Sequence, residues 1–264
     1  METITALVAV KNEEKNIRRC LKSVNWVNNL IIIDSGSTDN TLKIAKEFHV
    51  RIYQFRKKNY LLREKLNFGI RKIKKGWILI VDADEEVTPK LKTEIIRAMK
   101  NIHLNAFNIC FHNYCFGRFL KGFYWNDMPV TRLFRSGKAT YEDIEPHRSI
   151  SIDGKIGNLK GYINHYPYNN TKEFLNKAEK YTSLSAPLII KNNGGGILNK
   201  PLGSLGIYSS YIEPVIFSVW IFLRKGMYKD YFLGLWLSLL MGYYLYIERK
   251  KVRMLKNGNK SAVN

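Results

Sequence analysis

The sequence predicts an α/β fold in which helices flank a mixed, mainly parallel sheet, followed by a C-terminal helical region. Over the first hundred residues, short apolar runs alternate with amphipathic helical patterns, as in a parallel sheet with crossover connections. Between about residues 106 and 160, glycine, asparagine and aspartate separate short strands, which indicates antiparallel additions. Beyond a glycine run at 194–196, the chain becomes rich in aromatic and aliphatic residues.

The first half contains four strand candidates, at 4–10, 30–33, 52–55 and 77–81. The intervening segments carry apolar residues at spacings of three and four, as helices covering a sheet do. These segments are 16–24, 39–48 and 61–73. Asp39 is expected to cap the second helix, although it could equally bind a ligand. Another helix is expected after Pro89, with one apolar face made of Leu91, Ile95, Ile96 and Met99.

The chain is expected to form one main domain and a C-terminal appendage. Residues 1–190 would form the domain, with a nucleotide-binding half at 1–104 and an acceptor-side half at 105–190. A helix at 171–190 precedes the breaker at 192–196, which is the expected boundary. Residues 197–264 would form an apolar and basic helical region associated with a membrane.

Two apolar runs, at 207–223 and 231–247, dominate this C-terminal region. The second run is shorter than the roughly 20 residues of a spanning helix. It could span, lie in the membrane interface, or pack as a buried helix ahead of a solvated basic tail. Basic residues follow each run, a pattern typical of anchoring at the cytoplasmic interface. These residues are Arg224, Lys225, Lys229, Arg249, Lys250, Lys251 and Arg253.

Charge and cysteine content limit the partners and the compartment. Lysine and arginine total 43 against 22 acidic residues, and the net charge of +21 favours phosphate-rich partners such as an anionic inner leaflet. Nucleic acid is not expected, because no helix-turn-helix, zinc finger or single-strand platform is evident. The amino terminus lacks a secretory signal pattern, and the three cysteines show no zinc-ligand spacing. We expect a cytoplasmic protein, peripheral or monotopic at the membrane.

Polar residues follow three strand candidates where each strand ends. Asp82 and Asp84 follow one strand, Asp34 and Gly36 another, and Glu13 a third. Since open parallel sheets bind ligands at this edge, two carboxylates one residue apart can hold Mg²⁺ or Mn²⁺ with a diphosphate. The Asp34 carboxylate can accept from a base or ribose, and Gly36 lets the backbone approach a ligand. Asp34 could instead only form the turn.

Three motifs together resemble the family 2 glycosyltransferases of the GT-A fold: 8–14 (VAVKNEE), 34–41 (DSGSTDNT) and 82–85 (DADE). Four later motifs are similar to the branch that builds lipopolysaccharide core and related surface glycans: 115–119, 132–135, His147 and His165-Tyr166. The resemblance covers roughly residues 3–190. It implies an inverting, hexosyltransferase-like enzyme of the bacterial cell envelope. The expected donor is a UDP-sugar, and the expected acceptor is a lipid-linked or lipopolysaccharide-type glycan.

The resemblance also implies a role for each matching residue. Glu13 and Asp34 would hold the nucleoside. Asp82 would bind the ribose or the metal, and Asp84 the metal. His165 matches the late histidine that often completes the metal site.

One match to the family and one departure from it concern the diphosphate. Arg132 is implied to lie near the diphosphate or the acceptor, where a guanidinium suits phosphate oxygens. The family usually has an arginine just before the asparagine that matches Asn67, whereas this chain has Leu66. Lys65 or Arg63 would then supply the missing positive charge.

The catalytic base is where the chain departs most from the family. The family commonly places a glutamate base directly after the histidine that matches His147, but this chain has Arg148, which cannot accept a proton. Asp143 is the first choice of base, followed by Glu145, with Glu142 also a candidate. The alternative is a catalytically degenerate, membrane-associated protein that binds nucleotide sugar or glycan. A glycosidase is disfavoured, because it has no use for a nucleotide pocket.

Overall fold

The structure, a computed structural model, describes residues 2–57, 60, 62–122, 126, 128–142, 150–191 and 212–261. The chain divides into two compact units. The first comprises Met1–His112, Asp127–Ile144 and Arg148–Tyr166. The second comprises Asn113–Asn126, Glu145–His147 and Pro167–Asn264.

Each apolar run predicted in the first half forms a strand. These parallel strands are β1 (Ile4–Val10), β2 (Asn29–Asp34), β3 (Val50–Gln54) and β4 (Trp77–Asp82). They lie side by side in the order β3-β2-β1-β4. In register, Val10 pairs with Asp34, Ala9 with Asp82, and Asp34 with Gln54. The polar residues that follow these strands therefore reach one edge of the sheet, as predicted.

The remaining strands confirm the mixed sheet. They are β5 (Glu85–Val87), β6 (Ala106–Cys115), β7 (Arg118–Phe119), β8 (Val130–Arg135), β9 (Ala139–Tyr141), β10 (Ile150–Ile152) and β11 (Ile156–Tyr168). Within the described residues, the sheet continues from β4 in the order β8-β6-β11-β5, while β9 and β10 form a separate pair. Strand β8 is antiparallel to β4 and β6, and β5 is antiparallel to β11. The β8 pairing places Arg132 one strand away from Asp82.

Helices cover both faces of the parallel strands. They are α1 (Ile17–Val24), α2 (Thr41–Ala45), α3 (Leu62–Ile70) and α4 (Pro89–Ala98). Because successive side chains of a strand point to opposite faces, Val8 packs with α1 and α4, whereas Leu7 packs with α3. Burial on both faces explains why β1, β2 and β4 read as nearly continuous apolar runs.

Two helix details differ from the prediction. Helix α2 begins at Thr41 with Asn40 at the N-cap, so Asp39 lies one position too early to cap it. The Asp39 carboxylate nevertheless accepts from the Thr41 N–H, at 3.0 Å. In α4, Leu91 and Ile95 are buried but Ile96 is exposed, so its apolar face is narrower than predicted.

The second unit is built from α5 (Thr171–Lys191), α6 (Ile212–Arg224), a 3₁₀ turn (Met227–Asp230) and α7 (Tyr231–Ser261). Its core includes Cys115, Phe174, Phe217, Leu237 and Leu245. Helix α5 belongs to this unit, whereas the sequence placed it in the first domain. The expected boundary at 192–196 lies outside the described residues. No helix in the described part of the chain combines the length and the hydrophobicity needed to cross a bilayer.

Candidate functional site

Hydrogen bonds join the loops that follow β1 and β2. The Asn12 N–H donates to Ser37 Oγ at 3.0 Å, and Asn12 Oδ1 accepts from the Thr38 N–H at 2.8 Å. One residue further on, the Glu13 N–H donates to Thr41 Oγ1 at 2.7 Å. Several of the polar groups that suggested ligand binding by these loops therefore bond the two loops to each other.

The Glu13 side chain lies at the start of α1. Its carboxylate accepts from Asn16 Nδ2 at 3.0 Å, and its carbonyl accepts from the Asn16 N–H at the same distance. Asn16 Oδ1 in turn accepts from Arg19 at 3.3 Å. Glu13 is thus placed at the predicted edge by the first turn of the helix.

Asp34 organises the turn after β2. Its carboxylate accepts from the Gly36 N–H at 3.1 Å and from Ser37 Oγ at 2.6 Å, and only 1% of the residue is exposed. These contacts favour the turn-forming interpretation of Asp34. Gly36 has a φ of +87°, and a Cβ there would meet nothing within 4 Å. The turn therefore exposes backbone on an open side, where a ligand can approach it.

An open pocket of 480 Å³ lies beside this turn, at the carboxyl ends of β2 and β3. It is lined by Asp34, Ser35, Gly36, Ser37, Leu42, Gln54, Phe55, Arg56 and Lys57. Sequence reasoning missed the residues from 54 to 57. A signal was available, since a strand was predicted at 52–55 and two cations, Arg56 and Lys57, follow its end. An aromatic ring beside amide and cationic groups suits a nucleobase and its phosphates.

Lys65 supports these loops from inside the fold. Its ammonium donates to the Val10 carbonyl at 2.7 Å and to Ser35 Oγ at 2.9 Å. Burial lowers the pKa of this ammonium to about 8. Lys65 was predicted as a possible diphosphate contact. Its ammonium instead contacts the end of β1 and the residue that follows β2.

The turn between β4 and β5 carries the D-A-D-E motif and is fixed by Arg132. Arg132 Nη2 donates to Asp82 Oδ2 at 3.0 Å and to Glu85 Oε1 at 2.6 Å. Glu85 Oε2 accepts from the Asp82 N–H at 2.8 Å. Burial raises the pKa of the Glu85 carboxyl, and the Arg132 guanidinium opposes that effect.

This network corrects the role predicted for Arg132. Only 6% of the residue is exposed, so its guanidinium is not at a surface where a diphosphate or an acceptor binds. A buried glutamate beside an aspartate needs a countercharge, and Arg132 supplies it. Arg132 consequently shapes the turn through its contacts with Asp82 and Glu85.

The structure brings together two of the three predicted metal ligands. Asp84 Oδ2 lies 3.8 Å from His165 Nε2, and both side chains are partly exposed. Two ligand atoms that each lie about 2.1 Å from one ion can be up to about 4.2 Å apart, so this spacing fits a shared ion. Asp82 is held by Arg132 instead. No group of three histidine, cysteine or acidic side chains suited to a metal occurs among the described residues.

Tyr166 holds this turn in place through hydrogen bonds. It was not predicted as a site residue. Its N–H donates to the Asp84 carbonyl at 2.9 Å, and its hydroxyl donates to Glu86 Oε2 at 2.7 Å. The Arg19 guanidinium lies 3.7 Å from the centroid of the Tyr166 ring. Tyr166 thus ties the turn to the strand residue that follows His165.

The base candidates fall mainly in a segment that the structure does not describe. Asp143 and Glu145 lie outside the described residues, as do His147 and Arg148. Glu142 is described and half-buried, directly after β9.

Asn67 fixes the end of the strand that leads into this segment. Its Nδ2 donates to the Tyr141 carbonyl at 2.8 Å, and its Oδ1 accepts from the Tyr141 N–H at 3.0 Å. Helix α3 thereby anchors β9 one residue before Glu142.

The sequence is similar to those of known proteins. Residues 5–159 match Glycosyl transferase family 2. An uncharacterized glycosyltransferase of Rickettsia prowazekii is 24% identical over 88% of this chain and 79% of its own length. The lipopolysaccharide core biosynthesis glycosyltransferase LpsC of Rhizobium meliloti is 22% identical over 86% of this chain and 83% of its own length.

A solved structure supports the fold. The crystal structure of S. aureus TarS 1–349 in complex with UDP-GlcNAc has a TM-score of 0.54 at 12% identity, covering 97% of this chain and 92% of that one. The family match spans more than half of the chain and contains the strand ends described above. This chain belongs to glycosyl transferase family 2 and has the GT-A fold.

Proposed function

We propose that this family 2 glycosyltransferase moves a sugar from a UDP-sugar to a lipid-linked or lipopolysaccharide-type glycan, with inversion at the anomeric carbon. The observation that carries the proposal is the convergence of three strand ends on one edge. That edge holds both the Asp84–His165 pair and the pocket beside Gly36. An edge with these two features offers a place for a metal-bound diphosphate and another for a nucleoside.

The pocket beside Gly36 would take the nucleoside. Phe55 offers an aromatic face, and Gln54 offers amide donors and acceptors at the end of β3. Arg56 and Lys57 add positive charge, which attracts a diphosphate. Uridine as the base is supported by the TarS complex with UDP-GlcNAc.

Asp84 and His165 would hold a divalent cation, Mg²⁺ or Mn²⁺, together with oxygens of the donor. The Asp84 carboxylate suits either ion, and the partial exposure of both side chains leaves room for water and donor oxygens. When bound, the ion supplies charge neutralisation for a departing nucleoside diphosphate. The Arg132–Glu85 pair would keep the turn rigid, so that Asp84 is presented in one orientation.

The transfer itself is a direct displacement. An acceptor hydroxyl oxygen forms a bond to the anomeric carbon, and the bond from that carbon to the diphosphate breaks. The electron pair leaves with the diphosphate. The hydroxyl proton passes to a carboxylate, with Asp143 the first choice and Glu145 and Glu142 the alternatives.

The proposed acceptor and location rest on two observations. The relative LpsC is named for lipopolysaccharide core biosynthesis. The net charge of +21 favours an anionic membrane surface such as the inner leaflet. The enzyme would act there as a peripheral or monotopic protein of the cytoplasmic side.

Release of nucleoside diphosphate from a panel of nucleotide sugars tests the proposal, with extracted membrane glycolipid as acceptor. We expect turnover with a UDP-sugar and its loss in Asp143→Asn, or in Glu145→Gln or Glu142→Gln. A second candidate function follows from Arg148, which replaces the family's usual base. Tight donor binding without turnover under any condition would favour that degenerate binder and contradict the proposed transfer.

A further inference from the structure

Helices α6 and α7 expose apolar residues along faces that are separate from their packed faces. The exposed residues of α6 are Ile212, Val215, Val219 and Leu223. Those of α7 include Tyr231, Phe232, Leu235, Trp236, Leu239 and Tyr243. Their spacings of three and four place each set along one side of its helix. We call these ten residues the exposed apolar faces.

These faces are not the core of the second unit. Phe217 and Ile221 of α6 and Leu237, Leu240 and Leu245 of α7 form that core. Each helix is therefore apolar on two sides, one packed and one facing outward. Tyr231 and Phe232 are 83% and 78% exposed, an unusual state for large apolar side chains on neighbouring positions. Exposed apolar surfaces of this extent mark binding sites for protein or membrane.

The surrounding charges favour a membrane. Arg224 is exposed at the end of α6, Lys229 is exposed in the turn before α7, and Lys250 is exposed within α7, beyond Tyr243. The acidic residues of α6 and of the first part of α7 point elsewhere: Glu213 is buried against Arg249 at 2.8 Å, and Glu248 accepts from Ser185 at 2.7 Å. Asp230 accepts from two backbone N–H groups, at Lys121 and Gly122.

The composition of the faces fits the same partner. Tyr231, Trp236 and Tyr243 combine an apolar ring with a polar tip, which suits the boundary between acyl chains and headgroups. An apolar face with lysine and arginine beside it is the pattern of helices that lie in the plane of an interface. Cations beside an apolar face attract the anionic headgroups of a membrane, which favours a membrane over a partner protein.

We propose that the exposed apolar faces of α6 and α7 insert into the headgroup region of an anionic bilayer, with both helices lying in the membrane plane. The proposal rests on the membrane location proposed above and names the surface that achieves it. The apolar side chains supply most of the affinity, and the cations add selectivity for anionic lipid. The basic residues near the end of α7 are then not sufficient by themselves for binding to the bilayer.

Flotation of the full-length protein with lipid vesicles tests this surface. We expect binding to vesicles of phosphatidylcholine with phosphatidylglycerol and quenching of tryptophan fluorescence by brominated lipid. The double variant Phe232→Glu/Leu239→Glu should bind at least about tenfold more weakly, since each substitution replaces an apolar side chain that enters the bilayer with a charged one. The control Ile102→Glu changes an equally exposed apolar residue of the first unit and should bind like wild type.

Two outcomes would overturn the proposal. One is equal vesicle binding by the double variant and wild type when both unfold at the same temperature. The other is a wild-type dimer in solution that the double variant dissociates, which would make the faces an interface between copies. Donor turnover with a water-soluble acceptor is measured in parallel. Vesicle binding without turnover counts against the proposed transfer alone, whereas turnover without vesicle binding counts against the membrane surface alone.

Discussion

The guanidinium of Arg132 lies 2.6 Å from the carboxylate of Glu85, and both residues are almost entirely buried. The pair joins β8 to the turn that presents Asp84. Removing one member of a buried ion pair costs about 3–5 kcal/mol, because the other charge stays buried without a partner.

Arg132→Met should therefore lower the free energy of unfolding by about 3–5 kcal/mol, measured by urea denaturation. The control is Lys138→Met. Lys138 pairs with the exposed Asp153, and such surface pairs contribute about 0–1 kcal/mol. Equal losses in the two variants would show that the Arg132 network is not what holds the turn.

Gly36→Ala should weaken UDP binding by about tenfold, or 1.4 kcal/mol, measured by calorimetry. Its φ of +87° strains any other residue, and the added methyl occupies the open side where the ligand approaches. Gly137→Ala is the control, because Gly137 has a φ of +79° and equally open surroundings. A similar loss of UDP affinity in both variants would assign the effect to backbone strain and remove Gly36 from the site.

Tyr166→Ala should reduce Mn²⁺ affinity, measured by titration in the presence of UDP, more than it reduces thermal stability. The substitution removes the hydroxyl bond to Glu86 of β5 and the ring beneath Arg19 of α1, so the strand that carries His165 loses its Tyr166 side-chain contacts with both elements. Tyr166→Phe keeps the ring and should retain most of the affinity, since one hydrogen bond contributes about 0.5–1.5 kcal/mol. Unchanged Mn²⁺ affinity in a folded Tyr166→Ala protein would limit Tyr166 to a packing role.

Lys65 should make stability depend on pH between about 8 and 10.5. Its pKa is about 8 in the folded protein and 10.5 when exposed, so the unfolded chain binds more protons across this window. Stability rises with pH there, is greatest above 10.5, and is lost as pH falls through 8. As pH rises from 8 to 10.5, the free energy of unfolding of wild type should increase by about 3 kcal/mol relative to that of Lys65→Met.

The control for this prediction is Lys74→Met, which removes one exposed positive charge. Urea denaturation at several pH values gives the free energy of unfolding of each of the three proteins. If the difference in free energy of unfolding between wild type and Lys65→Met stayed constant from pH 8 to 10.5, the pKa of Lys65 would not be lowered by folding, and the prediction would be wrong.

Much of the fold was predictable because burial on both sheet faces leaves a direct signal. Continuous apolar runs such as 77–81 can form only a buried element, and polar residues that follow them mark the ligand edge. The family match confirmed what those strand ends suggested. The partners of charged residues were not predictable, because they depend on strands that are distant in sequence.

Arg132 and Tyr166 illustrate this limit. Arg132 was recognised as important, but its burial against Glu85 depends on the antiparallel pairing of β8 with β4. Tyr166 contacts Glu86 across 80 residues of sequence, and no local pattern marks that contact. Helix α5 likewise reads as an amphipathic helix in sequence, and only its neighbours assign it to the second unit.

The most direct test of the central claim compares Mn²⁺-dependent binding of UDP-sugar by wild type and by Asp84→Asn, using calorimetry. Asp153→Asn, at an exposed carboxylate paired with Lys138, is the control. We expect wild type and the control to bind donor only with metal, whereas Asp84→Asn should lose this dependence together with most of its affinity. Metal-dependent binding of equal strength in Asp84→Asn would contradict a donor site built on Asp84 and His165.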